Sequence, residues 1–222
     1  MNIQEQIKDI KGQLRLFMNG VVSASMRKSG LEYKLNFGVE LPRIKEIAKG
    51  IESPSVGLAE ALWVENIREC KILATLLYPR DEFNEETTRT WVSQTPNIEI
   101  ARLLSMNLLQ HLAFIRPFCF SWIASSEEMT AIIGYLTITR LLRRGESMDE
   151  RAAEEFTNQA IAAAISGDFQ LREVAIQALK AYMEQSTQNK NRLLALIESY
   201  AGSENKNAKI LYEQITEEAM YL

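Results

Sequence analysis

The sequence predicts an all-α fold, on three observations. Apolar residues recur at three- and four-residue spacing along most of the chain, and glycines, prolines and helix-capping side chains punctuate these runs at short intervals. No stretch alternates apolar and polar residues as a half-buried strand would.

Ile3, Ile7, Ile10, Leu14 and Phe17 make one apolar stripe on a first helix, which Asn19-Gly20 is expected to end. Met26-Arg27-Lys28-Ser29-Gly30 lacks a period and reads as a basic connecting loop. The stretch 36–77 organises the rest of the chain. An extended lead-in, Asn36-Phe37-Gly38-Val39, turns at Pro42 into a helix striped by Ile44, Ile47, Ala48 and Ile51. A second helix carries Ala59, Leu62 and Trp63, and a third Ile67, Cys70, Ala74 and Leu77. Helices this short bury little alone, so they must stack on one another.

Tyr78-Pro79-Arg80-Asp81 then breaks the chain, and Asn84 is placed to cap a helix through Trp91-Val92. Thr95 followed by Pro96 predicts another start, for a helix carrying Ile98, Ala101, Leu104, Leu108 and Leu112, and Pro117 predicts an interruption. Ser125 with Glu128 reads as a capping box for a long apolar helix over 129–142, closed by Gly145, and Ser147 with Glu150 repeats the box. The next helix reaches Ile165 and stops at Gly167, and Asp168 caps its successor, striped by Phe169, Ile176, Leu179 and Met183. Leu193, Leu194, Ile197 and Tyr200 mark another, ended by Gly202, and Leu211 and Ile215 a last. Helix pairs recur at intervals of roughly 35 to 45 residues, which matches a HEAT-like α-solenoid of antiparallel pairs forming one domain over 1–222, with its concave side as the natural binding surface.

A chain of 222 residues, 46% hydrophobic with net charge -4, has no global pull toward a polyanion. Residues 1–50 are locally basic, however, with 9 Lys+Arg against 5 Asp+Glu, so a polyanion would touch that end. Cys70 and Cys119 lie in apolar segments and read as buried thiols in a reducing compartment. The N-terminus has no signal-peptide pattern and no apolar run is long enough to cross a membrane, so a cytoplasmic location, a monomer and no membrane contact are expected. His111, the only histidine, excludes a metal site or triad built on several histidines. No phosphate-cradling glycine loop, CxxC pair or nucleophile elbow occurs, and neither metal nor cofactor is expected.

The run Phe37-Gly38-Val39-Glu40-Leu41-Pro42-Arg43-Ile44-Lys45-Glu46-Ile47-Ala48-Lys49, then Leu62-Trp63, then Glu69-Cys70-Lys71 with Ala74, resembles the DNA alkylation repair family, the HEAT-like DNA glycosylases of AlkD type. The resemblance is strongest over residues 25–80 and continues as helix order and scattered positions such as Asp149 and Ala178-Leu179-Lys180. It implies a C-shaped, all-helical domain that holds duplex DNA and excises cationic purines such as 3-methyladenine or 7-methylguanine. A methylated ring nitrogen makes the base a good leaving group, so such an enzyme chiefly stabilises the positive charge developing on the sugar, through a carboxylate and aromatic faces.

The residues aligned with the family's catalytic set depart from it. Thr95 stands where an aromatic is expected and Glu99 where the catalytic aspartate would be, Gly134-Tyr135 fall on the arginine pair, and Gln177 on a later tryptophan. Arg140 replaces the arginine only if the register slips. Glu99 keeps a carboxylate on a longer stem, yet four replacements together argue that the family reaction is lost or altered. Glu99 in a first helical turn is equally explained by the helix dipole, and Trp63, Trp91 and Trp122 by core packing. Arg27, Lys28, Arg43, Lys45 and Lys49 are the leading phosphate contacts, with Arg143 and Arg144 a further pair that a helix C-terminus also explains. Two functions are consistent with these residues: a DNA-binding member of the family, with Glu99 as its candidate catalytic residue, or a noncatalytic helical scaffold for a protein partner.

Overall fold

A computed structural model describes residues 2–31 and 33–222. The chain divides into two compact units, residues 1–112 and 113–222. The first holds helices α1 (Ile3–Leu16), α2 (Gly20–Lys28), α3 (Leu41–Lys49), α4 (Val56–Val64), α5 (Arg68–Leu77), α6 (Glu85–Ser93) and α7 (Ile98–Asn107). The second holds α8 (Ile115–Ile123), α9 (Glu128–Arg143), α10 (Glu150–Ala164), α11 (Phe169–Met183), α12 (Thr187–Ile197) and α13 (Lys206–Ala219). Among the described residues the sole β feature is an isolated bridge between Leu35 and Ile67.

Each unit is built around one helix that is enclosed on nearly every side. In the first it is α5, packed against α3, α4 and α7, with all of its residues but Leu76 buried. In the second it is α9, sixteen residues long and lodged between α8 and α11, with an unbroken buried run from Ala131 to Thr139. A helix buried all round must be apolar or must find partners for its polar groups. On α9 the threonines satisfy themselves, Thr137 and Thr139 donating to the carbonyls of Ile133 and Tyr135 at 2.8 Å. On α5 the polar side chains reach outward, and they define the candidate site.

The predicted helices all form, but several ends differ. The basic stretch 26–30 is the end of α2 rather than a loop, and Asn19 starts this helix by accepting the amides of Val21 and Val22 at 3.1 Å. The helical period is hidden because α2 buries only Ser23. Three predicted caps shift two residues onward, to Asn97, Glu127 and Asp149. Thr95 cannot cap, because its hydroxyl is turned back to the Trp91 carbonyl at 2.8 Å. Ser125 accepts the nearby Glu127 amide at 3.1 Å instead of closing a box. Pro117 does not interrupt a helix: it sits third in α8, where no intrahelical N–H bond is lost. Phe169, expected in a buried stripe, is exposed at the start of α11 with Arg172 stacked 5.3 Å from its ring centre.

The three tryptophans are core residues. Trp63 and Trp91 stack at 4.0 Å with rings nearly parallel, and Tyr78 and Phe83 meet Trp91 edge-on at 5.3 and 5.2 Å. Cys70 and Cys119 are free and buried, and burial pushes the Cys70 thiol up to about 12 and raises that of Cys119 as well.

Candidate functional site

The polar residues of α5 face in two directions. Glu69, fully buried, accepts the backbone amides of Phe37 and Val39 at 3.1 and 3.2 Å, pinning the extended segment that leads into α3. Between those amides Gly38 adopts φ +71° with its Cα against the α1–α2 junction, where a Cβ would stand 2.1 Å from the Asn19 carbonyl oxygen. Only glycine fits there. Lys71 sends its ammonium to the Trp63 carbonyl at 2.6 Å and over the Trp63 ring, closing the end of α4, and its burial lowers its pKa. The residues that carry the family resemblance are thus joined to one another.

Arg68 turns the other way, toward Glu99 at the start of α7. Its Nε lies 3.0 and 2.9 Å from the two Glu99 carboxylate oxygens and its Nη2 2.6 Å from Oε1, while Nη1 serves the Val39 carbonyl at 2.9 Å and Glu69 at 3.1 Å. The Tyr33 hydroxyl donates to Glu99 Oε2 at 2.7 Å and lies 3.1 Å from Asn97 Oδ1. Burial opposes the charge on Arg68, yet the Glu99 hydrogen bonds and the two carboxylates outweigh it and raise its pKa. Burial and then the Glu99 carboxylate raise the Tyr33 pKa. Asn97 caps α7 through the Ile100 amide, and its buried Nδ2 has no hydrogen-bond partner among the described residues.

This arrangement decides what Glu99 can do. Its side chain is 21% exposed, but both oxygens are engaged, by Tyr33 and by an Arg68 that also pairs with Glu69. A carboxylate already chelated by a guanidinium and hydrogen-bonded by a phenol is less free to turn toward a cation developing beside it. Of these partners, Arg68 left a sequence signal, a charge beside the apolar stripe of α5. Tyr33, in an aperiodic segment, left none.

Thr95 is buried with its hydroxyl bonded to the Trp91 carbonyl, and Tyr135, with no exposed surface, has a hydroxyl without a partner among the described residues and a pKa raised by burial. Gly134 beside it is pressed against Ile123 and Trp122. Gln177 on α11 and Arg140 on α9 are half-buried, and Arg143 and Arg144 are exposed at the end of α9.

The basic candidates gather on α2 and α3. Arg27 and Lys28 are exposed in the last turn of α2, and the Arg27 guanidinium lies 3.4 Å from Ser23 Oγ. Arg43 pairs with Glu46 and covers the Phe17 ring at 4.3 Å. Lys45 and Lys49 stand one helical turn apart on the exposed side of α3, away from buried Ile44 and Ile47. Among the described residues no ion pair holds Lys28, Lys45 or Lys49. Among the described residues no group of three His, Cys, Asp or Glu side chains could hold a metal ion, and no helix is long and apolar enough to cross a membrane.

Comparison with known proteins bears on this geometry. No curated protein matches the chain. One solved structure, from a new family of proteins related to the HEAT-like repeat DNA glycosylases with affinity for branched DNA structures, is similar with a TM-score of 0.79 at 15% identity. That similarity covers 100% of this chain and 95% of the other, and it identifies the fold as HEAT-like. The family described as DNA alkylation repair enzyme matches residues 10–165, well over half of the sequence. The chain belongs to the DNA alkylation repair enzyme family.

Proposed function

We propose that this protein binds DNA, branched forms included, through the exposed cations of α2 and α3, and that it does not release alkylated bases efficiently. The observation that carries the reading is the capture of Glu99 by Arg68 and Tyr33, which occupies the carboxylate the family reaction would use. The buried hydroxyls of Thr95 and Tyr135 support it, because neither side chain is presented to a ligand. Lys28, Lys45 and Lys49 support the binding half, being exposed charges that no ion pair holds among the described residues. The affinity for branched DNA ascribed to the structural relative supports the choice of substrate.

The test pairs two measurements. Binding to a duplex and to a four-way junction should weaken steeply with salt, and Lys45→Ala with Lys49→Ala should reduce the slope of log K against log salt by about 2. Methylated duplex should lose no bases above background in the presence of the protein. Base release that disappears in Glu99→Gln would overturn the noncatalytic half, and salt-independent or undetectable binding the other.

A second reading, a helical scaffold for a protein partner, is favoured by the charge of residues 113–222, which carry 11 Lys+Arg against 15 Asp+Glu. It predicts a partner with a basic surface and no retention on DNA.

A further inference from the structure

The DNA-binding reading leaves open how a branch could be told from a duplex. Phosphates are common to both, so contacts from Lys45 or Lys49 position DNA without distinguishing its forms. What a branch point adds is bases whose stacking is interrupted, and the side chains that exploit such steps are apolar wedges.

The first unit carries such a feature where α1 meets α2. Leu16 is 81% exposed, Met18 62% and Val21 81%, and Phe17 between them is also exposed. Exposed apolar side chains scattered singly are ordinary, but a cluster of this kind marks an interaction surface. The corner is also held in place. The Asn19 amide donates to the Phe37 carbonyl at 2.8 Å, the Asn19 side chain caps α2, and Gly38 is seated against the Asn19 carbonyl. Its apolar side chains therefore project from a fixed backbone, which limits the ordering cost of inserting them.

The surrounding charge selects the partner. Arg15 is exposed in the last turn of α1, Arg43 lies over Phe17, and Lys28 falls seven residues after Val21 on the same face of α2. The guanidinium stacked on the Phe17 ring also makes a flat surface of the kind that unstacked bases settle on.

Resting on the DNA-binding reading, we infer that the α1–α2 corner is a branch-recognition site, in which Leu16 and Met18 enter the opened base step and Arg15, Arg43 and Lys28 meet the flanking phosphates. The test uses the full chain carrying Leu16→Ser and Met18→Ser, two exposed positions whose replacement should leave the thermal midpoint unchanged. Affinities for a fluorescent four-way junction and for a duplex of the same arm sequence are measured at one salt concentration, with 2-aminopurine at the branch point reporting unstacking. The wild type should prefer the junction and brighten the probe. The double variant should lose about tenfold on the junction, keep its duplex affinity and leave the probe dark. By contrast, Lys45→Ala with Lys49→Ala should weaken both substrates alike.

A wild type that binds both DNAs equally, or a variant that keeps the junction-to-duplex ratio, overturns the inference while the DNA-binding reading stands. The second result does so whether the variant instead loses self-association or binding to anionic vesicles, outcomes that would assign the corner to a second copy or to lipid. A wild type that binds neither DNA removes the DNA-binding reading and this inference with it.

Discussion

Glu69→Ala should be among the most damaging single changes in the first unit, and its size can be worked from the contacts. The carboxylate accepts two buried backbone amides, from Phe37 and Val39, and one guanidinium N–H from Arg68, all within 3.2 Å. Hydrogen bonds to a charged group contribute about 1.5–3 kcal/mol each, but they share one acceptor group and do not add. Arg68 retains Glu99 and the Val39 carbonyl, so its charge is not orphaned, whereas the two amides are. The expected cost is therefore about 3–5 kcal/mol, the range for breaking a buried pair. Glu99→Ala should cost less, about 1–2 kcal/mol, because that carboxylate is partly exposed and water can replace it on Arg68. Urea unfolding followed by tryptophan emission in a Trp122→Phe background reports on Trp63 and Trp91, both in the first unit. With a slope of about 2 kcal/mol per molar urea, Glu69→Ala should lower the midpoint by about 2 M. A loss no larger than that of Glu99→Ala would refute the claim that Glu69 anchors the segment 37–39.

Two further expectations come from the same unit and from the thiols. Gly38→Ala should cost more than about 3 kcal/mol, because a Cβ would meet the Asn19 carbonyl oxygen at 2.1 Å, while Gly30→Ala, also at positive φ but facing open space, should cost about 1 kcal/mol; thermal midpoints of the two variants separate sterics from dihedral strain. Stability should fall as pH rises through about 8.5, the unfolded thiol value, because buried Cys70 and Cys119 keep their protons when folded and release them when unfolded. Each thiol contributes about 1.4 kcal/mol per pH unit to the unit that holds it, and Lys71, whose pKa is lowered on folding, acts in the opposite sense from its lowered folded value up to its unfolded value of about 10.4. Urea midpoints between pH 8 and 9, below the range in which unfolded tyrosines begin to titrate at about 10, should therefore decline in the wild type and decline less in Cys70→Ala with Cys119→Ala.

How much could be read in advance depended on burial. The stripes on α1, α3 and α5 are legible in the sequence because burial imposes the period, and α9, buried on nearly all sides, is legible as a long apolar run. The helix α2 was illegible for the same reason, since one buried serine leaves no stripe. Caps were placed two residues early at Thr95, Ser125 and Ser147 because a hydroxyl has several nearby backbone groups to choose from, and sequence spacing does not say which it takes. The site was legible only in part. Glu99 was found by alignment, but its capture by Arg68, 31 residues earlier, and by Tyr33, 66 residues earlier, depends on tertiary contacts.

On the proposed reading, that capture lets the chain keep the family's most recognisable residues while its carboxylate is withdrawn from the family's chemistry. Phe37, Gly38, Val39, Glu69 and Lys71 are held to their positions by one another: two amides need a buried acceptor, the glycine needs space beside Asn19, and the lysine ends α4. These are requirements of packing α3 and α4 on α5, and they persist whatever the surface of the protein does. The aligned catalytic positions have no such mutual support. Thr95 bonds its hydroxyl back within its own helical segment, and Tyr135 is enclosed in the core of the second unit. With Glu99 held by Arg68 and Tyr33, restoring one aromatic or one arginine alone would leave the carboxylate engaged. A gain of glycosylase activity would require freeing the carboxylate, and Arg68→Met with Tyr33→Phe, the change that frees it, also removes contacts that fix α7 and the Val39 carbonyl in place.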